Sequence, residues 1–200
     1  SSRIIENAAL SYIGAKLDSV QTLPEKAPAI FVDRDGTLIE AVEYLHEPEK
    51  IRFMTGAIES LRQLKDAGYR IVIITNQPGI GLGYFSKEDF FRVTLAMLKT
   101  CGKQGLLIDK IYYCPHSYAE KCSCRKPQTE LLERAVRELN LDLGRSFVIG
   151  DSSADIMLGK NAKCGSVLVE TGYAGKDGNF DVKPDLIAKD LKAASEHILK

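Results

Sequence analysis

Residues 29–38 read Ala-Ile-Phe-Val-Asp-Arg-Asp-Gly-Thr-Leu, and this stretch constrains the fold more than any other. Four apolar residues end at two carboxylates, Asp33 and Asp35, with Gly36 and Thr37 behind them. An apolar run of that length, stopped by a glycine, reads as a strand buried on both faces. In an open α/β sheet, ligands bind beyond the carboxyl ends of the strands, where both acids would stand. Residues two apart on an extended chain point the same way, so the two acids can face one ligand. A calcium loop also begins Asp-x-Asp, but its glycine belongs at the sixth position, and Gly36 is at the fourth.

The pattern recurs. Tyr69 to Thr75 contains Ile71-Val72-Ile73-Ile74 and ends in Thr75-Asn76-Gln77; Phe147-Val148-Ile149-Gly150 ends in Asp151. Further strands are expected at Ile108 to Tyr113, Ser166 to Glu170 and Leu186-Ile187. Between them, helices are expected from about Thr55 to Lys65, closed by Gly68, from the capping box Ser86/Asp89 to about Cys101, and from Pro127 onward. Strands alternating with helices imply an α/β domain with a mainly parallel sheet and right-handed crossovers. Polar side chains at the ends of three apolar strands is the arrangement of a site, and solvation alone does not explain the choice of acids. Asp155, one helical turn past Asp151, reads first as a helix cap or a supporting group.

Two other segments carry expectations. Residues 1–28 split into an amphipathic helix to about 18, packed on the main domain or a partner, and a linker containing Pro24 and Pro28; residues 29–200 form the main domain. Residues 38–54 are polar and irregular, and too few for a separate cap, since independent domains start at roughly 50 residues. Pro78-Gly79-Ile80-Gly81-Leu82-Gly83 lacks dinucleotide-binding spacing and reads as a flexible loop beside the site.

Composition narrows the function classes. Lys plus Arg and Asp plus Glu are 27 each in 200 residues, so no global field recruits nucleic acid or an anionic membrane. Any phosphate must be held by local groups. No apolar run is long enough to span a bilayer, and a secretory signal is not evident. Three of the five cysteines fall between 114 and 124, in Cys114-Pro115-His116 and Cys122-Ser123-Cys124. Cys114, His116, Cys122 and Cys124 make a closed tetrahedral set for a structural Zn²⁺, with a redox pair or an inert cysteine-rich loop as alternatives. Clustered thiols argue for a reducing compartment, hence the cytoplasm. A zinc pinned there would aim the next two residues, Arg125 and Lys126, at the strand ends. Cys101 and Cys164 read as core thiols, and His46 as a surface or packing residue.

Taken together, Asp-Arg-Asp-Gly-Thr, Thr-Asn-Gln, Cys-Pro-His…Cys-x-Cys-Arg-Lys-Pro and Gly-Asp resemble the haloacid-dehalogenase-like (HAD) phosphatases. The likeness is to their zinc-containing, capless branch, which holds the heptose 1,7-bisphosphate 7-phosphatases and the histidinol-phosphate phosphatases. It covers about Ala29 to Tyr173. Tyr44-Leu45-His46-Glu47-Pro48, Gly79-Ile80 and Val167 to Gly172 look more like the heptose enzymes; Ala41, Val42 and Glu43 depart from their usual substrate loop.

The resemblance implies a three-layer, Rossmann-like fold with a small zinc-bound loop and no large cap. It implies a Mg²⁺-dependent phosphomonoesterase acting on a small sugar bisphosphate in nucleotide-heptose and surface polysaccharide synthesis, with histidinol phosphate as the other candidate substrate. Asp33 would be the nucleophile, forming an aspartyl-phosphate, and Asp35 the acid and base. Thr75 and Lys126 would steady the phosphoryl oxygens. Asp33, Asp151 and Asp35, the last through a nearby main-chain carbonyl, would hold Mg²⁺. Arg34, Asn76, Gln77, Arg125 and Lys126 would contact substrate. The chain is expected to act as a monomer. A zinc-stabilised binding module without catalysis is the rival from another class.

Overall fold

The computed structural model describes residues 25–200. The helix expected in residues 1–18 and the linker as far as Pro24 lie outside the described residues. Ala27 joins the domain: its N–H donates to Asn140 O at 3.1 Å, and its carbonyl accepts from Asp142 N at 2.9 Å.

Six strands form one sheet: β1 (Ala29–Val32), β2 (Arg70–Asn76), β3 (Lys110–Cys114), β4 (Phe147–Gly150), β5 (Gly165–Val169) and β6 (Leu186–Ala188). Their order across the sheet is β3-β2-β1-β4-β5-β6, and every pairing is parallel. β1 lies at the centre with all four residues buried, as its uninterrupted apolar run requires.

Helices cover both faces. On one side Ile30, Val32, Ile71 and Ile73 pack with α1 (Ala57–Asp66), α3 (Lys87–Lys103) and α6 (Leu191–Ile198), through Leu61, Leu64, Met97 and Ala194. On the other, Ala29, Phe31, Val72 and Ile74 pack with α4 (Glu130–Leu139) and α5 (Ser153–Ala162), through Leu132, Ala135 and Leu158. Successive strand residues thus feed opposite cores, which is the two-residue period of an extended chain. The result is a three-layer α/β domain.

Three local expectations need correction, and one helix, α6, had no expectation to match. Helix α4 begins at Glu130 rather than at Pro127: residues 127–129 lie in a turn, with Gln128 N donating to Arg125 O at 2.8 Å and Thr129 at the cap position. Pro78 to Gly81 is a helical turn, α2, and not a flexible loop. A Cβ at Gly79 would stand 2.2 Å from Phe85 Cε1, and one at Gly81 would stand 2.4 Å from Ser117 N, so these glycines permit close packing. The segment after β1 is less irregular than its polarity suggests: Leu38, Ile39 and Leu45 are buried, and Met54 N donates to Leu38 O at 3.0 Å. This small flap leaves the strand tips open, and among the described residues no cap domain stands above them. Helix α6 keeps Leu191, Ala194, Ser195 and Ile198 at helical spacing behind the cap Asp190.

Candidate active site

The tips of β1, β2 and β4 converge. Asp33 follows β1, and its N–H donates to Ile149 O on β4 at 2.9 Å. Asp151 follows β4, and Thr75 lies near the end of β2. The chain after β3 runs through the cysteine loop and brings Lys126 into the same space. Lys126 Nζ donates to Asp33 Oδ1 at 2.5 Å, Asp155 Oδ1 at 2.7 Å and Ile74 O at 2.9 Å. An ammonium has three donors, and all are used here.

Asp33, Lys126, Asp151 and Asp155 are all nearly sealed from solvent. Three carboxylates face one ammonium, and the imbalance registers in their acidities. Burial pushes the Asp33 carboxyl well above its usual range; Lys126 opposes this, while Asp155, Asp151 and Asp35 add to it. Burial likewise lifts Asp151 to about 6, against the pull of the Tyr173 N–H. Burial alone would lower Lys126, but Asp155 and Asp33 outweigh it and hold the ammonium above its ordinary value.

The cluster has the chemistry of a hard-cation site. Oxygens of Asp33, Asp151 and Asp155 lie within 4.8 Å of one another. Asp155 is already engaged, with Lys126 on one oxygen and Ser152 N and Oγ on the other. Asp33 and Asp151 therefore have the freer oxygens, and the uncompensated negative charge suits Mg²⁺. The Asp151 carboxylate sits in a glycine cradle: a Cβ would come within 2.4 Å of Oδ2 at Gly36 and 2.0 Å at Gly172. Both glycines have positive φ, +88° and +53°, so two constraints select the residue type. The Asp35 carboxylate faces Arg34 and Gln77 and stands outside this group of three.

Three residues expected to contact substrate line the cleft and also bond to their neighbours. Arg34 is 1% exposed. Its Nε donates to Asp35 Oδ2 at 2.9 Å, and its Nη2 to Asp35 Oδ1 at 3.0 Å and Gln77 Oε1 at 3.1 Å. Gln77 Nε2 donates to Asp35 Oδ2 and to Thr75 Oγ1, both at 2.9 Å. Asn76 grips the main chain of Lys126: Oδ1 accepts from its N–H at 3.0 Å, and Nδ2 donates to its carbonyl at 3.3 Å. Arg125 does line the cleft, donating to the His116 carbonyl with its guanidinium 4.8 Å from the Tyr118 ring.

The cysteine loop closes on itself. Cys114 Sγ lies 3.7 Å from Cys122 Sγ, and His116 Nδ1 lies 3.2 Å from Cys124 Sγ. All four donor atoms fall within 4.8 Å of one another. Zinc–sulfur arms of about 2.3 Å at a tetrahedral angle place sulfurs roughly 3.8 Å apart, so the dimensions suit Zn²⁺. Cys101 and Cys164 are buried, as expected. The His46 ring stacks on Phe85 at 6.3 Å and bonds to Tyr44 O at 2.8 Å, a packing role. Among the described residues, no helix is long and apolar enough to cross a membrane.

The cleft above the cluster measures about 1040 Å³, and Tyr44, Tyr118, Tyr173 and Phe180 form part of its wall. The reach of Asp155 to Lys126 was not anticipated, although Ser152 and Asp155 do form a capping box. Tyr173, whose N–H holds Asp151 at 2.7 Å, carries no recognisable sequence signal.

This geometry has close counterparts. A family model described as HAD-hydrolase-like matches residues 123–194. A D-glycero-beta-D-manno-heptose-1,7-bisphosphate 7-phosphatase of Pasteurella multocida is 46% identical over 151 residues, covering 72% of this chain and 82% of the relative. The chain belongs to the heptose-1,7-bisphosphate 7-phosphatase family. A relative from Campylobacter jejuni, named for the alpha anomer, is 39% identical over 155 residues, 78% of this chain and 88% of that one. A D,D-heptose 1,7-bisphosphate phosphatase from B. bronchiseptica, solved in complex with magnesium and phosphate, superposes with a TM-score of 0.79 at 27% identity; the match covers 86% of this chain and 98% of that one. This heptose phosphatase family thus includes relatives named for either anomer.

Proposed function

We propose that the protein is a Mg²⁺-dependent phosphomonoesterase that removes the 7-phosphate of D-glycero-D-manno-heptose 1,7-bisphosphate. One observation carries the reading. Asp33, at the tip of the central strand, presents a carboxylate held by Lys126 at 2.5 Å, with Asp151 close enough to share a cation.

Asp33 attacks phosphorus, the ester P–O bond breaks, and an aspartyl-phosphate forms. The bond's electron pair leaves on the sugar oxygen, which takes a proton from Asp35. Water then attacks phosphorus, gives a proton back to Asp35, and frees Asp33. The Lys126 ammonium offsets charge on the phosphoryl oxygens, and the Thr75 hydroxyl stands beside them as a donor. Mg²⁺ held by Asp33, Asp151 and the main-chain carbonyl of Asp35 would supply further positive charge for an anionic substrate. Zn²⁺ on Cys114, His116, Cys122 and Cys124 would fix the loop that delivers Arg125 and Lys126. The five cysteines form no disulfide among the described residues, which supports a cytoplasmic protein; we take it as a monomer whose partner is a small phosphorylated sugar on the way to surface polysaccharide.

Phosphate release from both heptose bisphosphate anomers and from histidinol phosphate, with and without Mg²⁺, tests this reading. The heptose bisphosphates should turn over fastest, and only with the metal. Faster release from histidinol phosphate would reassign the substrate. No release from any of them would leave a zinc-stabilised binding module.

A further inference from the structure

Asp35 has a proton to deliver, and something must aim it. Asp35 follows the strand, in a turn, where a carboxylate on a short side chain would otherwise rotate freely. Its two oxygens offer about four lone-pair positions. Three are filled: Arg34 Nε and Gln77 Nε2 on Oδ2, and Arg34 Nη2 on Oδ1. The remaining position is on Oδ1, and Asp35 lines the cleft.

The guanidinium is itself immobilised. It is nearly sealed from solvent, bonded to Gln77 Oε1 at 3.1 Å, and lies over the Phe90 ring at 5.5 Å. Gln77 is in turn tied to Thr75 Oγ1. A planar fork on a planar carboxylate fixes the plane of the acid, which a point-charge cation cannot do.

We propose that Arg34 is a positioning residue for leaving-group protonation, holding the Asp35 carboxyl plane so that its one open lone pair faces the departing oxygen. This rests on the reading of Asp35 as the acid. Arg34 also borders the cleft, but its Nε and Nη2 are held by Asp35 and Gln77, so in this proposal it acts through Asp35.

Leaving groups separate this role from a structural one. A sugar or simple alkyl phosphate expels a poor leaving group and needs the proton. p-Nitrophenyl phosphate expels a stable phenolate and does not. For Arg34→Gln, kcat/KM, which reports the steps through leaving-group departure and not the shared attack of water, should fall about 10²-fold on glycerol phosphate and heptose bisphosphate, the scale of a misplacement near 1 Å. On p-nitrophenyl phosphate kcat/KM should fall less than about 3-fold, and KM should rise on none of the substrates. Arg34→Lys keeps the buried charge and loses the fork, so it should show the same split if Arg34→Gln does not fold. Asp35→Asn should show the split too, and adding Arg34→Gln to it should cost nothing more.

Asp35→Asn losing equally on both classes would remove the acid assignment itself. If Asp35→Asn splits but the Arg34 variants lose equally on both, raise KM, or fail to fold altogether, the positioning role is overturned.

Discussion

Lys126 Nζ and Asp33 Oδ1 lie 2.5 Å apart although 93 residues separate them in the chain. The pair joins the central strand to the residue two past the last cysteine of the cysteine loop. It is what makes Asp33 more than a solvated strand end, because a buried carboxylate without a cation beside it would give up its charge.

Lys126→Met should therefore damage both fold and activity. Asp33 and Asp155 would face each other without their shared cation. Removing one partner from such a buried set costs about 3–5 kcal/mol, and kcat should drop about 10²–10³-fold. Urea denaturation at pH 7 and steady-state kinetics check this. Unchanged stability with only KM raised would mean that Lys126 merely touches substrate.

In the metal-free protein the contribution of Asp151 to stability should fall as pH rises from about 4 to 6. Asp151 is lifted from 3.8 to about 6 in the fold, so over that window the native state binds more protons than the unfolded chain. The stabilisation is complete below the unfolded value and is lost as pH passes through the folded one. Asp33, shifted in the same direction, adds to the slope. Asp151→Asn should flatten the curve, and so should saturating Mg²⁺. Thermal melts across this range measure it, and a stability that rises with pH in the parent alone would contradict the assignment.

Asn76→Leu removes both bonds to the Lys126 main chain. We expect kcat to fall about 10-fold or more with KM little changed, because a catalytic group is displaced while the groups that bind substrate stay in place. A rise in KM alone would return Asn76 to the substrate-binding role that the sequence suggested.

Zinc analysis should find about one ion per chain, held by a closed four-ligand site. Gly81→Ala tests the loop from its far side. The added Cβ would meet Ser117 N at 2.4 Å, so loop and turn must separate. The variant should release zinc to a chelator faster and lose about 1–3 kcal/mol of stability. Unchanged zinc release would show that the turn and the loop are uncoupled.

Much of the fold was legible because it is a parallel sheet buried on both faces. Residues 29–32, 71–74 and 147–149 are apolar without interruption, and such runs can hardly be anything else. Helix α6 carries little sequence signal because its buried face is short and built largely of small residues, Ala194 and Ser195, behind Leu191. The site was legible as residue types at strand ends. What the sequence concealed were the partners. Asp155 caps its own helix, a local pattern, but its other oxygen meets Lys126 across 29 residues. Arg34, Asn76 and Gln77 line the cleft where substrate ligands are expected, and the sequence carries no sign of the bonds that Arg34 also makes to Asp35, Asn76 to Lys126 and Gln77 to Thr75.

The most direct measurement is of the covalent intermediate. A sample turning over heptose bisphosphate with Mg²⁺ is acid-quenched and reduced with borohydride, which converts an acyl phosphate to an alcohol, and its peptides are weighed. Reduction confined to Asp33, absent without substrate and from Lys126→Met, is the expected result. Steady phosphate release with Asp33 unmodified, or modification at Asp35 or Asp151 instead, would contradict a nucleophile held at the tip of the central strand.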